Sequence, residues 1–318
     1  PVHDAGTAIP LYTVFGANDF QMFFDARPLS RGECGAIPQD IHMSVDPDST
    51  LDFTSAYHFA RLPNLAFFVS AGYPFTRFAD LAETAVVLPD HPSDIELSAY
   101  LNLMGHLGSI TFQPVNKVTV VRASHVDAAG DKDILLIGTM GHVGQAASLL
   151  SQSPYSVENG TLRVAMSNAL PDIWHLAQST QADTDRARLA AVLTTPLGDG
   201  AAAMIGAESP LHEQRSVVAV LAGAPQGLVA MAAALRDEQM VPHIQGDLAL
   251  LNGGTISAYR VGGSYTVGHL PIWLWPEWLL QDRPFSTAVL LLGATMLVAF
   301  SLYRLVRGKA HRRIAQSR

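Results

Sequence analysis

The sequence predicts a mixed architecture: a β-rich N-terminal region, a doubly wound α/β domain, and one membrane-spanning helix near the C-terminus. Three observations predict it. Apolar residues in the first part of the chain recur with period two. From about residue 83, short apolar β-branched segments alternate with helical ones. Residues 284–303 then run for twenty positions without a charge.

Residues 1–82 read as β-rich. In LDFTSAYHF, Leu51, Phe53, Ser55, Tyr57 and Phe59 alternate with their neighbours, the period of a strand with one buried face. DFQMFFDA carries the same signal through Phe20, Met22 and Phe24, and turn-rich pieces, ARPLSRGECG and SVDPDST, lie between them. The α/β domain is expected over 83–266. TAVVLP (84–89), NKVTVV (116–121), DILLIG (133–138), SVVAVLAG (from 216) and GDLALL (to 251) have the nearly all-apolar character of buried parallel strands. SDIELSAYLNLMGHLG is a helix opening on the capping box Ser93-x-x-Glu96 and ending near Gly108, and PQGLVAMAAALRDEQM is a second helix. Strand–helix–strand alternation of this kind makes a doubly wound sheet. Residues 167–200 carry no clear period and are left unassigned.

The uncharged run PFSTAVLLLGATMLVAFSLY is long enough, at 1.5 Å per helical residue, to cross about 30 Å of hydrocarbon. Nine of its residues are Leu, Val or Phe, which together favour insertion by about 3–5 kcal/mol. Residues 304–318 hold Arg304, Arg307, Lys309, Arg312, Arg313 and Arg318 and no acid. The excess of positive charge places the C-terminus in the cytoplasm and the bulk of the chain outside. Just before the run, LPIWLWPEWLLQDRPF concentrates Trp273, Trp275 and Trp278. Trp favours the headgroup level, where an apolar ring and a polar N–H are both satisfied. With Pro276 suited to a first helical turn and Pro284 to a break, residues 267–283 read as a tryptophan-rich interfacial segment with a short helix over 276–283.

Charge narrows the possible partners. Of the 20 Lys and Arg residues six lie in the tail, so the remaining 14 face 28 acids, a net charge near −14 outside the membrane. That excludes a nucleic-acid surface, which needs clustered positive charge. Cys34 is the sole cysteine, so no disulfide closes within these residues. A chain starting at Pro1 is expected to be a mature product or a fragment, with its export signal upstream.

Signatures of catalysis are sparse. GTMGHVG (138–144) follows a strand, but Met140 stands where a dinucleotide fingerprint needs its second glycine, so no flavin or nicotinamide cofactor is expected, even with Glu158 downstream. Asp46-Pro-Asp48 and Asp131-Lys-Asp133 match D-x-D in turn-forming sequence where Asp is common anyway. The twelve histidines never fall three to five residues apart, so no helical metal pair exists and no metal site is expected. A G-x-S-x-G elbow is also missing.

LPNLAFFVSAGYPFTRFADLAETAVVLPD (62–90) and SYTVGHLPIWLWPEWLL (264–280) closely resemble two segments of the periplasmic B subunit of bacterial cellulose synthase. The first matches the family's LP-x-L, G-x-PF-x-R and ADL-x-ETAVVLP motifs, the second its entry into the membrane, and the likeness runs in order over nearly the whole chain. The resemblance implies that residues 1–82 are the C-terminal part of a jelly-roll-like, carbohydrate-binding-like β-domain and that 83–266 are a flavodoxin-like domain that binds no flavin. It further implies a non-catalytic partner of a UDP-glucose-dependent catalytic subunit. The anchor would support that subunit in the bacterial inner membrane, while the periplasmic domains guide the emerging β-1,4-glucan. The family is also labelled cyclic-di-GMP-binding, which makes a direct nucleotide receptor the alternative reading, and a nucleotide enzyme a third. The usual receptor pair is R-x-x-x-R followed by [DN]-x-S-x-x-G; Arg27-x-x-x-Arg31 is present, but no D-x-S or N-x-S occurs. Cyclic-di-GMP is therefore expected to act on the complex and not on this chain.

Three residue groups carry the expected function. Trp273, Trp275 and Trp278 would meet membrane lipids. Ala288, Thr295 and Ala299 form a small-residue stripe that would admit a helix of the catalytic subunit. Phe68, Tyr73, Phe75 and Phe78 cluster in the resemblance motif and would offer rings to glucan.

Overall fold

A computed structural model describes residues 57–165, 179–193, 198–275 and 291–304, together with 48–50, 52, 278 and 307. Most of the expected β-rich region, including Phe20, Met22, Phe24, Cys34 and the Arg27–Arg31 pair, lies outside the described residues, as do 279–290.

The described chain begins with strand β1 (Phe59–Leu62) and helix α1 (Leu65–Ala71), followed by β2 (Thr84–Leu88), α2 (Asp94–Thr111), β3 (Thr119–Arg122) and β4 (Asp133–Thr139). A hairpin of β5 (Tyr155–Glu158) and β6 (Thr161–Val164), helix α3 (Ser179–Val192), β7 (Ala202–Glu208) and β8 (Ser216–Ala222) come next. Helix α4 (Pro225–Ala234), β9 (Leu248–Asn252), β10 (Thr255–Tyr259) and β11 (Tyr265–Gly268) complete the domain. Seven strands form one sheet in the order β10-β9-β7-β8-β4-β2-β3.

Four of these strands, β3, β2, β4 and β8, are parallel neighbours as the all-apolar segments predict. The other side of the sheet corrects the doubly wound expectation, because β7 runs antiparallel to both β8 and β9. The cause is connection length. Residues 209–215 are all that join β7 to β8, closed by Ser209 N–H donating to the Arg215 carbonyl at 2.7 Å. A parallel crossover needs a dozen residues or more. β9 and β10 are joined by Gly253-Gly254, both at positive φ, the backbone that a two-residue hairpin turn requires.

Both sheet faces are covered, which is why the central strands carry no polar face. Val86, Leu88, Leu135 and Ile137 point to one side and pack under α1, α2 and α4. Ala85, Val87, Ile134 and Leu136 point to the other, beneath the short 3-10 helices at Ala123–Ala129 and Gly144–Leu150, the β5–β6 hairpin and α3. Leu65, Phe68, Phe75 and Leu81 share the first core with Val86 and Leu135, so side chains on both sides of the expected 82/83 boundary pack together. β1 and β11 form a separate antiparallel ribbon beside the sheet.

The helix ends follow the sequence signals. Ser93 caps α2, accepting from Glu96 N–H, while the Glu96 carboxylate accepts from Ser93 N–H at 2.8 Å. α2 runs to Thr111, past the predicted end at Gly108. Asn64 caps α1, and Gly72 ends it at φ 67, its N–H donating to the Phe67 and Phe68 carbonyls.

Candidate functional site

The motif at 62–84 folds into a seam at the edge where the parallel strands begin, and most of its motif positions have a structural task. Leu62 and Leu65 are buried, and Phe68 and Phe75 meet edge to face at 5.4 Å in the core. Thr84 Oγ1 donates to the Phe75 carbonyl at 3.1 Å, and Asp80 accepts from Ala82 N–H while pairing with Lys117 Nζ at 2.7 Å.

Arg77 carries the motif into a charge network. Its Nη2 lies 3.2 Å from Asp133 Oδ2 and its Nη1 3.5 Å from Glu83 Oε2. Arg215 Nη1 meets the same two carboxylates at 3.4 and 2.8 Å, and its Nη2 lies 3.9 Å from Asp131. Asp133 also accepts from Ser216 N–H at 2.8 Å. Burial pushes the Asp133 carboxyl up, against the pull of the Ser216 N–H and the two guanidinium groups. For Arg215 burial works against the charge, and the hydrogen bond to Glu83 with the nearby acids outweighs it, raising its pKa. The D-x-D at Asp131–Asp133 is thus an ion-pair site for two arginines. Beside it Ser216 Oγ shares a 2.6 Å hydrogen bond with the Tyr265 hydroxyl, whose pKa burial raises. The network ties α1's exit, β2, β4, β8 and β11 to one another.

The opposite edge, where β2 and β4 end, is the usual ligand crevice of doubly wound sheets. Here the protein's own groups fill it. A Cβ on Gly138 would lie 2.9 Å from the Pro89 ring. Glu96 Oε1 accepts from Thr139 N–H at 2.8 Å and from its hydroxyl at 2.9 Å. Burial raises the Glu96 carboxyl, but hydrogen bonds from Ser93 and Thr139 overcome it and hold the group below the ordinary carboxylate range. The first turn of α2 therefore already carries an anion. GTMGHVG is the strand-to-helix turn here: Met140 is buried and its N–H donates to the Ala222 carbonyl at 2.8 Å. Glu158 is on the β5–β6 hairpin, 3.3 Å from Arg163. Among the described residues no group of three or more His, Cys, Asp and Glu side chains is arranged to hold a metal.

A second polar site lies beside the ribbon, a cleft of about 160 Å³ lined by Pro63, Gln152, Glu208, Asp247 and Tyr265 among others. Buried Asp247 is committed within the fold, accepting from the Tyr155 hydroxyl at 2.9 Å and from Val261 N–H at 3.1 Å.

The tryptophans extend from the ribbon. Trp278 packs edge to face on Phe59 of β1 at 5.3 Å and on Trp275 at 5.6 Å. Trp275 Nε1 donates to the Leu270 carbonyl at 3.2 Å. This leaves Ile272, Trp273 and Trp275 exposed, at 81, 71 and 45 %. Position 278, inside the predicted helix of 276–283, is helical, as is 275 just before it; the rest of that helix lies outside the described residues. Residues 291–304 are helical and exposed on all sides, including Thr295 and Ala299 of the small-residue stripe; Ala288 lies outside the described residues. Arg304 stacks over the Phe300 ring at 5.2 Å. Among the described residues no helix is long and apolar enough to cross a membrane.

Of the four rings expected to meet glucan, Phe68 and Phe75 give their faces to the core and have none left for a sugar. Tyr73 is half-buried against Phe67, its hydroxyl pKa raised by burial. Phe78 is 48 % exposed. Sequence reasoning missed the network. Glu83 is six residues from Arg77 and carried no motif signal of pairing, while Asp133 reaches Arg77, and Arg215 reaches Glu83, only because the fold sets β2, β4 and β8 side by side.

Comparison with known proteins agrees with the motif. Residues 58–220 match the family model described as cellulose synthase BcsB, second FD domain. The chain is 41% identical over 306 residues to the cyclic di-GMP-binding protein of Komagataeibacter xylinus, covering 96% of this chain and 38% of that protein. It is 42% identical over 316 residues to cellulose synthase 1 of Novacetimonas hansenii, covering 98% of this chain and 20% of that protein. A cyclic di-GMP-binding protein of Xanthomonas axonopodis pv. citri is 32% identical over 318 residues, with 99% and 40% covered. The chain thus spans two fifths or less of the length of these relatives. The family match across the seam and the central sheet, together with these relatives, shows that the chain belongs to the cellulose synthase BcsB family.

Proposed function

We propose that this chain is the non-catalytic, membrane-anchored part of a bacterial cellulose synthase. Its C-terminal segment supports the catalytic subunit, and its outer domains guide the emerging β-1,4-glucan. The single observation that carries the reading is the exposed Ile272–Trp273–Trp275 patch. Trp278 ties the patch to the folded domain through Phe59, and an apolar helix exposed on every side follows it. A helix that is apolar all round belongs in a protein core or a bilayer, and among the described residues nothing packs around this one. The flavodoxin-like label and the jelly-roll assignment of residues 1–82 belong to the same reading. So do the single pass over 284–303, the cytoplasmic basic tail and the Ala288–Thr295–Ala299 contact with the catalytic subunit.

The test is glucan synthesis from UDP-glucose in membranes. The catalytic partner with this chain intact is compared with the same pair lacking residues 271–318. The expected result is loss of polymer while the catalytic subunit stays present and folded; unchanged synthesis would exclude the anchor as the activating element. The names of two relatives favour a second reading, a direct cyclic-di-GMP receptor. Titrating cyclic-di-GMP against the whole chain separates the two, since saturable binding supports the receptor.

A further inference from the structure

Phe112 occupies a position where its side chain costs stability and gains no burial. It is the C-cap of α2, at φ 53 and ψ 25, and its ring is 89 % exposed. Helices ending in this left-handed geometry favour glycine or asparagine there, and a bulkier residue costs about 1–2 kcal/mol. Neither the helix nor the core accounts for a phenylalanine.

The loop that Phe112 opens folds back toward the seam. The Gln113 carbonyl and the Val115 side chain each come within 3.4 Å of where a Cβ on Gly108 would stand. Lys117 N–H donates to the Asp80 carbonyl at 3.2 Å, beside the Lys117–Asp80 ion pair. The two Lys117–Asp80 contacts thus tie the far end of this loop to the seam segment that carries Phe78, whose ring is also exposed. Gln113, Asn116 and Lys117, in the same loop, are exposed, and Asp80 is half-exposed.

We propose that Phe112, together with Phe78, is a stacking platform for a β-1,4-linked glucan on the outside of the α/β domain. This rests on the reading of the chain as a glucan-guiding subunit and adds a binding position to it. A lipid surface or protein partner calls for a contiguous apolar patch of a few hundred Å². These rings are set instead among amides and an ion pair. A pyranose chain fits that mixture: its flat C–H faces cover the rings, and its equatorial hydroxyls reach the amide, ammonium and carboxylate groups alongside. The left-handed cap turns the Phe112 ring outward before any ligand arrives.

The whole chain in lipid nanodiscs, titrated with cellohexaose, tests this. Phe112→Gly and Phe112→Asn suit the backbone at this cap, so both should be at least as stable to urea as the parent. Both should nevertheless bind cellohexaose about tenfold more weakly, as should Phe78→Ala. Unchanged affinity in the Phe112 variants overturns the proposal alone and leaves the proposed function standing. Lower stability of Phe112→Gly also overturns it, because the ring would then be held by the fold. Failure of the parent chain to bind cellohexaose overturns both this platform and the glucan-guiding reading.

Discussion

At the scale of single residues, the strongest constraint is the buried carboxylate of Asp133. It is fully enclosed and faces two guanidinium groups and one backbone N–H, so it has several partners to lose. Arg215 is the more buried of the two arginines and approaches three acids; Arg77 is more open and approaches two. Removing one member of a buried ion pair costs about 3–5 kcal/mol, whereas a charged hydrogen bond at a partly open position is worth about 1.5–3. Arg215→Ala should therefore destabilise the chain more than Arg77→Ala. Urea midpoints at an unchanged denaturant slope measure the difference, and an equal or reversed order would remove Arg215 as the centre of the network. The sequence made Arg77 conspicuous through its motif. It offered no sign of Arg215, because the contact depends on β4 and β8 lying side by side. Phe112 was hidden for a different reason: Pro114 hints that a helix ends nearby, but the left-handed cap is a property of the folded backbone.

At the scale of elements, α2 shows how far a local signal reaches. Ser93-x-x-Glu96 predicted the helix start, and the capping box is there. The sequence did not show that the same carboxylate also holds Thr139 at the end of β4, joining helix to sheet. Glu96→Ala should cost about 2 kcal/mol or more, above the typical 1 kcal/mol for a cap alone, because it also orphans the buried Thr139 donors. The pH dependence has a definite sign. The folded state holds the Glu96 pKa below its ordinary value, so its contribution is present above that value and is lost as pH falls through the folded one. Parent chain should lose stability on acidification below about pH 4.3, and Glu96→Gln should lose less over the same window. Identical acid profiles would dissociate Glu96 from the effect. The same scale explains the missed elements. Asn159-Gly160 and Gly253-Gly254 are two-residue hairpin signals, and both turns form where they stand. The direction of β7 follows from the short connection to β8, which could be measured only once both strand ends were known.

At the scale of the whole molecule, the question is what covers the exposed tryptophans. The folded domain spends one ring, Trp278, on Phe59 and leaves Trp273 and Trp275 outward. Their position in the chain, between the β1–β11 ribbon and the apolar helix of 291–304, sets them where a bilayer headgroup layer would begin if that helix is inserted. Substituting outward-facing rings should leave the domain fold intact while changing how the chain meets lipid. In nanodiscs, with Trp174→Phe to clear the background, lipids brominated near the headgroup should quench the remaining tryptophan fluorescence. The double variant Trp273→Phe, Trp275→Phe should lose most of that quenching, with only a small fall in the urea midpoint from the exposed Trp275–Leu270 hydrogen bond it gives up. Quenching that persists in the double variant would assign it to Trp278. A parent chain that shows none would turn the patch toward a protein partner, with the proposed anchoring role then resting on the helix alone.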